Sequence, residues 1–207
     1  MPSLRQLRAE FASLLLIDAA STMVQVGWLT QDDDRWRTSS EEAGIGVFTA
    51  VEALDVDLTG VDAFVFCEGP GSMLGIRTVG MAVRTWNVIT TRPVFSYQSL
   101  AVVAHALGNP ELTVIADARR ESWHTFRVGG NLLRVPVAEL AGRLVTPEEF
   151  RNWSTLPPDV TRVPYALSEL LAKVPDENLF RATDAPDAFL HQEPSYVTWT
   201  PQIHRGP

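Results

Sequence analysis

The chain has 207 residues, of which 45% are hydrophobic and 20% are charged, and its formal net charge is −8. This composition excludes a disordered chain and allows one large domain or two small ones, while the single Cys67 excludes a disulfide scaffold. No stretch approaches the roughly 20 apolar residues of a membrane span, and so acidic a chain binds phosphate backbones poorly by itself.

The first predicted elements form a hairpin near the N-terminus. Residues 14–17 are an apolar run that ends at Asp18, which is typical of a buried strand. The run is too short for a signal peptide, so together with the unpaired Cys67 it favours a cytoplasmic protein. Residues 23–29 alternate between apolar and polar after a small-residue turn, which predicts the second strand.

Helices and strands then alternate along the chain. The patterns predict a helix over 41–55, a strand over 61–67, a helix over 73–90, a short strand over 93–96 and a helix over 99–107. This order predicts an α/β fold with helices packed on a sheet.

A second unit resembles the first hairpin. Residues 113–117 form an apolar run that ends at Asp117, and residues 122–128 alternate after a polar turn. Two interpretations stay open, namely duplication of an α/β half and coincidence between two ordinary hairpins. Under the first, the boundary falls between Phe95 and Glu111, and the chain divides into an N-terminal α/β subdomain, 1–96, and a C-terminal α/β subdomain, 97–207.

The last third is rich in proline and gives weaker patterns. Short helices are predicted over 147–153, 165–173 and 184–191, followed by an irregular tail over 194–207. The tail either stays with the second subdomain or returns to the first.

A glycine-rich turn between the strand over 61–67 and the helix over 73–90 is the most informative motif. Gly69 and Gly71 allow a close approach of a ligand or of another backbone. Ser72 is a favourable N-cap, and the helix start that it precedes is a natural anion site. Arg77 lies about one turn into the helix. The motif is neither a Walker loop nor a dinucleotide fingerprint, so its role is either structural or phosphate-binding.

Four landmarks resemble the TsaB (YeaZ) family in the same order. They are Gly-Pro-Gly-Ser-x-x-Gly-x-Arg at 69–77, Leu-Ile-Asp-Ala-Ala-Ser-Thr at 16–22, Asp-Ala-Arg-Arg-Glu-Ser-Trp at 117–123, and Pro-Ser-Tyr at 194–196. The resemblance covers residues 14–128 firmly and the tail weakly. It implies a duplicated actin/sugar-kinase-like (ribonuclease-H-like) α/β fold, with two related subdomains around a cleft.

The resemblance also implies a function. Family members serve as non-catalytic scaffolds in the complex that makes N6-threonylcarbamoyladenosine in tRNA, where a larger TsaD-like paralogue carries the chemistry and a TsaE-like ATPase takes part. We therefore expect no firm cofactor here, ATP and Mg²⁺ only at the partner subunit, and only indirect contact with tRNA. The implied degenerate nucleotide site comprises Asp18, Ser21, Gly69, Gly71, Ser72, Gly75, Arg77, Asp117 and Arg119.

Independent catalysis finds little support in the residues. No two of His105, His124, His191 and His204 have the i, i+4 spacing of a helical metal site, and Cys67 lies within a predicted strand. No catalytic residue is therefore assigned. Asp18 and Asp117 either cap turns or hold a hydrated metal with ATP, and the second reading would make the chain a small ATP-dependent phosphotransferase.

The helix over 73–90 is apolar almost all round, so a second face requires burial. In the resembled family, this helix and the preceding one form a four-helix bundle with the partner. The expected interface residues are Leu74, Ile76, Val79, Gly80, Met81, Val83, Trp86, Val47 and Val51. We expect Val83→Glu to separate the complex without unfolding the chain.

The sequence departs from the family ahead of the first long helix. Ser39-Ser40 stand where family members carry a His-Ser pair, and the helix is expected to be shortened. This departure leaves the details of docking open, and it also allows a divergent homodimer with no role in tRNA modification.

Overall fold

The computed structural model describes residues 1–189. The five helices described are α1 (Leu4–Glu10), α2 (Ala43–Ala53), α3 (Met73–Ile89), α4 (Ser99–Leu107) and α5 (Leu167–Lys173). The first five strands are β1 (Ser13–Asp18), β2 (Val24–Thr30), β3 (Asp34–Ser39), β4 (Ala63–Gly69) and β5 (Val94–Gln98). The remaining described strands are β6 (Leu112–Asp117), β7 (Ser122–Phe126), β8 (Leu133–Pro136), β9 (Arg143–Pro147), β10 (Thr161–Val163) and β11 (Arg181–Ala182).

The strands form two mixed sheets with related strand orders. The first sheet has the order β11-β5-β4-β1-β2-β3, and the second has the order β10-β9-β6-β7-β8. In each sheet an antiparallel three-strand meander begins at the central strand, and two further parallel strands lie on that strand's other side. The terminal strand β11 returns to the first sheet and pairs antiparallel with β5.

The first sheet is covered on both faces, which explains why β1 and β4 are continuous apolar runs. Leu15 and Ile17 pack toward α2 and α3, with Val47, Val79 and Val83. The alternate residues of β1 and β4 pack toward α4, in a core that continues into the second sheet and α5. Helix α4 therefore lies between the sheets and joins them.

The structure confirms the predicted strands β1, β2, β4 and β5 and the predicted helices α2 to α5 to within about two residues at their ends. It also contains elements that the patterns did not predict. Helix α1 is fixed by a capping box between Ser3 and Gln6, and β3 is an edge strand of largely polar residues.

Two predicted helices are wrong. Residues 147–153 form the end of β9 and a loop, in which Glu149 has a φ of 63°, and this left-handed backbone cannot continue a helix. Residues 184–189 are also not helical: the backbone N–H groups of Ala185 and Ala188 donate to the side chains of Thr183 and Asp187 instead of to helical carbonyls. The rest of that predicted helix, the tail over 194–207, and the histidines His191 and His204 lie outside the described residues. Among residues 1–189, no helix is long and apolar enough to cross a bilayer.

Candidate functional site

Asp18 ends β1 and is completely buried. Its Oδ2 accepts hydrogen bonds from the hydroxyls of Tyr97, at 2.5 Å, and Tyr165, at 2.7 Å. Its Oδ1 accepts a bond from the backbone N–H of Ala20 at 2.8 Å. Both carboxylate oxygens are therefore occupied by groups of the chain itself.

The environment of Asp18 disfavours charge. Burial raises the pKa of its carboxyl above the ordinary value, against the opposing effect of the hydrogen bonds from Tyr97, Tyr165 and Ala20. Burial and the nearby Asp18 also raise the pKa of both tyrosines, so the phenols remain protonated donors. A carboxyl in this setting is a packed internal acceptor and is closed to a hydrated cation.

The glycine-rich turn packs directly against the residues that follow Asp18. A methyl group at Gly71 would overlap the carbonyl oxygen of Ala20, and one at Gly75 would overlap that of Ala19. The backbone N–H of Ser72 donates to Ala20 at 2.7 Å, and the Ser72 hydroxyl accepts from the N–H of Gly75 at 3.3 Å. The glycines thus serve a close approach between two backbones, and the amides of Ser72 and Gly75 already have partners inside the chain.

Asp117 ends β6 at the position in the second sheet that Asp18 holds in the first. Its Oδ1 accepts from the N–H of Arg119 at 2.6 Å, and its Oδ2 accepts from Trp153 at 2.7 Å and Ser154 at 2.5 Å. Partial burial acts to raise the pKa of this carboxyl, but the backbone amides together outweigh it and lower the pKa. Both acids therefore cap turns, as the structural alternative predicted.

Three further predicted site residues also contact groups of the chain itself. The Ser21 hydroxyl donates to the carbonyl of Met23 at 2.8 Å, and the Arg119 guanidinium stacks over the ring of Trp153 at 4.2 Å. The Arg77 guanidinium lies 3.8 Å from the carboxylate of Asp187. The segment that carries Asp187 crosses α3 at Gly80, where an added methyl group would overlap the Pro186 carbonyl. The fold brings Asp18, Ser21 and the glycine turn together, whereas Asp117 and Arg119 belong to the second sheet.

The residues do not fit the Mg-ATP group that active kinases of the resembled fold hold at these strand ends. Asp18 has no solvent exposure and accepts three internal hydrogen bonds, and Asp117 accepts three hydrogen bonds from backbone amides. No group of three or more His, Cys, Asp or Glu residues within 1–189 is arranged to hold a metal.

Sequence reasoning missed the residues that close this site. Tyr97 and Tyr165 lie 79 and 147 residues from Asp18. Gln25 is buried within β2, where its amide donates to the carbonyl of Tyr165 and accepts from the N–H of Leu167, both at 2.8 Å. A glutamine inside an apolar strand was the one local signal that could have indicated a buried polar partner.

Helices α2 and α3 expose an apolar surface, which we call the α2–α3 face. Its members share large apolar side chains with high solvent exposure: Ile45 (58%), Phe48 (48%), Leu74 (76%), Met81 (56%), Val88 (85%) and Ile89 (82%). The prediction that α3 carries an apolar face beyond the one packed on the sheet is confirmed for Leu74 and Met81. Trp86 is partly buried at its edge and packs in a T-shaped contact with Phe48.

The other predicted interface residues need correction. Val47, Val51, Ile76, Val79 and Val83 are buried inside the chain, and Gly80 is covered by Pro186. Their apolar periodicity reflects packing on the first sheet. Because Val83 has no exposure, a glutamate there would test folding rather than docking.

Solved structures resemble the chain, although no protein-family model and no curated protein matches its sequence. One neighbour is an uncharacterized protein with similarity to peptidase YeaZ, from Pseudomonas aeruginosa, with a TM-score of 0.56 and 18% identity over 78% of this chain and 89% of that one. Another is YeaZ from Pseudomonas aeruginosa, with a TM-score of 0.55 and 22% identity over 65% of this chain and 75% of that one. At this identity the likeness concerns the fold: the chain has a YeaZ-like α/β fold built on two mixed sheets.

Proposed function

We propose that this chain is a non-catalytic partner subunit of the complex that makes N6-threonylcarbamoyladenosine in tRNA, in the manner of the TsaB family. It would pair in the cytoplasm with a larger TsaD-like paralogue and work with a TsaE-like ATPase, with ATP and Mg²⁺ bound by those proteins. The YeaZ-like fold and the four sequence landmarks support this proposal. The matching strand orders support a duplicated actin/sugar-kinase-like fold with halves near 1–96 and 97–207.

The observation that carries the proposal is the α2–α3 face. A single exposed apolar side chain is ordinary, but six large ones on two helices that Phe48 and Trp86 bring into contact are typical of an interaction surface. Helix α3 also carries no acidic residue, since its only charged members are Arg77 and Arg84. Both arginines already lie beside Asp187 of this chain, at 3.8 and 3.9 Å, so the partner that complements this face is one that offers an apolar helix surface.

The state of Asp18 supports a role without chemistry of its own. A small phosphotransferase would need Asp18 or Asp117 to reach a hydrated cation, and both carboxyls are taken up by internal donors. The glycine turn likewise directs two of its amides into the chain. We therefore favour the accessory role over the phosphotransferase.

A homodimer is the second candidate, because the α2–α3 face could also cover a second copy of itself. A symmetric dimer would remove the same exposed apolar side chains from water without a larger paralogue. The two candidates differ in the partner and share the surface.

Co-purification with the cognate TsaD-like paralogue tests the proposal. We expect the wild-type chain to bind at micromolar concentration and the double variant Leu74→Glu/Met81→Glu to bind at least tenfold more weakly, because two charges would be desolvated at the interface. The control is Leu133→Glu, which alters an exposed leucine on β8, away from α2 and α3. Failure of the wild-type chain to bind the paralogue, or equal binding by the double variant, would overturn the proposal. If the chain instead dimerises without the paralogue, and the double variant disrupts that dimer, the homodimer is the function of this face.

A further inference from the structure

An unusual backbone turn joins β6 to β7 on the surface of the second sheet. Its residues Arg119, Arg120 and Glu121 have φ values of 60°, 53° and 57°, so three successive residues adopt the left-handed region and none of them is glycine. This conformation is unfavourable for residues with a Cβ, and it persists only where the surroundings fix it. Backbone held in this way is concentrated at binding sites, which makes the turn a candidate site.

Hydrogen bonds fix this turn relative to the loop that follows β9. The Asp117 carboxylate accepts from the backbone N–H of Arg119 at 2.6 Å and from that of Trp153 at 2.7 Å, so it joins the turn to the loop. The guanidinium of Arg134 donates to the carbonyls of Ala118 and Arg119, at 3.3 and 3.4 Å. The backbones of Arg119 and Trp153 are therefore held side by side.

The side chains of Arg119 and Trp153 form an exposed stack of two flat groups. Trp153 is 54% exposed and is the most exposed of the five tryptophans within residues 1–189. The guanidinium carbon of Arg119, which is also exposed, lies 4.2 Å from the centroid of its ring. An indole and a guanidinium plane are the two kinds of surface on which proteins stack unpaired bases, so the pair matches the flat face of a nucleobase.

The charge of the turn favours an anionic strand beside this stack. Arg119 and Arg120 are exposed there against one exposed carboxylate, that of Glu121. The Asp117 carboxylate is occupied by backbone amides, and the Arg120 guanidinium has no hydrogen-bond or ion-pair partner within residues 1–189. A guanidinium without a partner, adjacent in sequence to a stacking group, is suited to a phosphate of the strand whose base is stacked.

We infer that the Arg119–Trp153 stack binds an unpaired nucleotide of RNA, with the base on the two flat groups and a phosphate on Arg120. Identifying this RNA as the tRNA of the complex rests on the proposed function, and it replaces the expected indirect contact with one direct contact. An acidic peptide would use the guanidinium groups and leave the indole without a stacking partner. Because the whole chain is acidic, the contact adds to the affinity of the complex and does not hold RNA by itself.

Fluorescence anisotropy of a labelled, unmodified tRNA transcript, titrated with the complex of the full-length chain and its TsaD-like paralogue, tests the inference. Trp153→Ala should weaken binding of the transcript roughly tenfold, whereas Trp153→Phe, which keeps a flat ring, should weaken it less than about threefold. Arg120→Ala should weaken binding about threefold and lower the slope of log affinity against log salt by about one. The matched control, Arg5→Ala, removes an exposed arginine from α1 and should change neither quantity.

Weaker binding by both alanine variants of the site, with Trp153→Phe and Arg5→Ala close to the wild type, would support the inference. If the alanine variants form the complex and bind the transcript as the wild type does, the inference is wrong and the proposed function is unaffected. Weakening by Arg120→Ala alone would show that the turn recognises charge without a base, as in an acidic peptide, and would also overturn it. If the wild-type chain forms no complex with the paralogue, the proposed function fails as well. Melting curves and co-purification establish that each variant is folded and assembled before titration.

Discussion

At the scale of single residues, Asp18 shows how a strand-end acid becomes a structural group. Two phenols and one backbone amide satisfy its oxygens, and no solvent reaches it. Its sequence context is compatible with metal binding, but the side chains that close it come from distant parts of the chain. The same residue type at the same strand end therefore serves packing instead of phosphate chemistry.

Replacing Asp18 with asparagine should change how stability depends on pH. A carboxyl whose pKa is raised by folding contributes stability that is fully present below its unfolded pKa, about 3.9, and is lost as pH rises through the folded pKa. The melting temperature of Asp18→Asn relative to the wild type should therefore increase from pH 4 toward pH 8. Thermal denaturation across that range measures the trend.

Asp57→Asn is the matched control for this trend. Hydrogen bonds from the Thr59 side chain and backbone lower the pKa of Asp57, so its contribution is present above the unfolded pKa and is lost as pH falls. Because that loss begins only near and below the unfolded pKa, about 3.9, the melting temperature of Asp57→Asn relative to the wild type should stay nearly flat from pH 5 to pH 8. A difference between Asp18→Asn and the wild type that stays flat or shrinks with rising pH would contradict the described environment of Asp18.

At the scale of elements, the glycine turn and α3 form one packing unit with the β1–β2 turn. Gly75→Ala should cost about 1–3 kcal/mol in the free energy of unfolding, because the added methyl group overlaps the Ala19 carbonyl. Gly44→Ala, in α2, should instead stabilise the chain by about 0.5–1 kcal/mol, since open space surrounds it. Urea denaturation separates the two, and equal stability of both variants would refute the close packing.

Local sequence patterns predicted some helices and strands and missed others. Strand β1 and helices α3 and α4 could be predicted because their apolar spacing is local and strong. Strands β8 to β10 could not, since they are only three to five residues long and lie in a proline-rich stretch. The apolar circumference of α3 was visible, but the division between its buried Val83 and exposed Met81 depends on where the sheet and α2 lie.

At the scale of the whole molecule, hydrogen bonds beside Asp18 join the first sheet to the C-terminal half of the chain. Gln25 joins β2 to the backbone of Tyr165 and Leu167, and Thr22 bonds to Glu149 through both its backbone and its hydroxyl. These contacts span more than a hundred residues of sequence, so the strand patterns alone could not reveal them. They hold the β1–β2 hairpin against segments of the C-terminal half.

Gln25→Leu tests the contact between β2 and the segment that begins α5. It removes two buried hydrogen bonds and leaves the Tyr165 carbonyl and the Leu167 amide without partners, which should cost about 2–4 kcal/mol in the free energy of unfolding. Thr22→Val, which removes only the more exposed hydroxyl bond, should cost less than about 1 kcal/mol. Urea unfolding midpoints compare the two, and a smaller loss for Gln25→Leu than for Thr22→Val would contradict this account.

The central claim is that the α2–α3 face meets another protein while the strand-end acids do no chemistry. Hydrogen–deuterium exchange of the full-length chain, with and without the cognate TsaD-like paralogue, tests it most directly. We predict new protection over residues 43–53 and 73–89, and unchanged exchange at the β6–β7 turn that follows Asp117. Protection confined to that turn and the β1–β2 turn, with α2 and α3 unaffected, would contradict it.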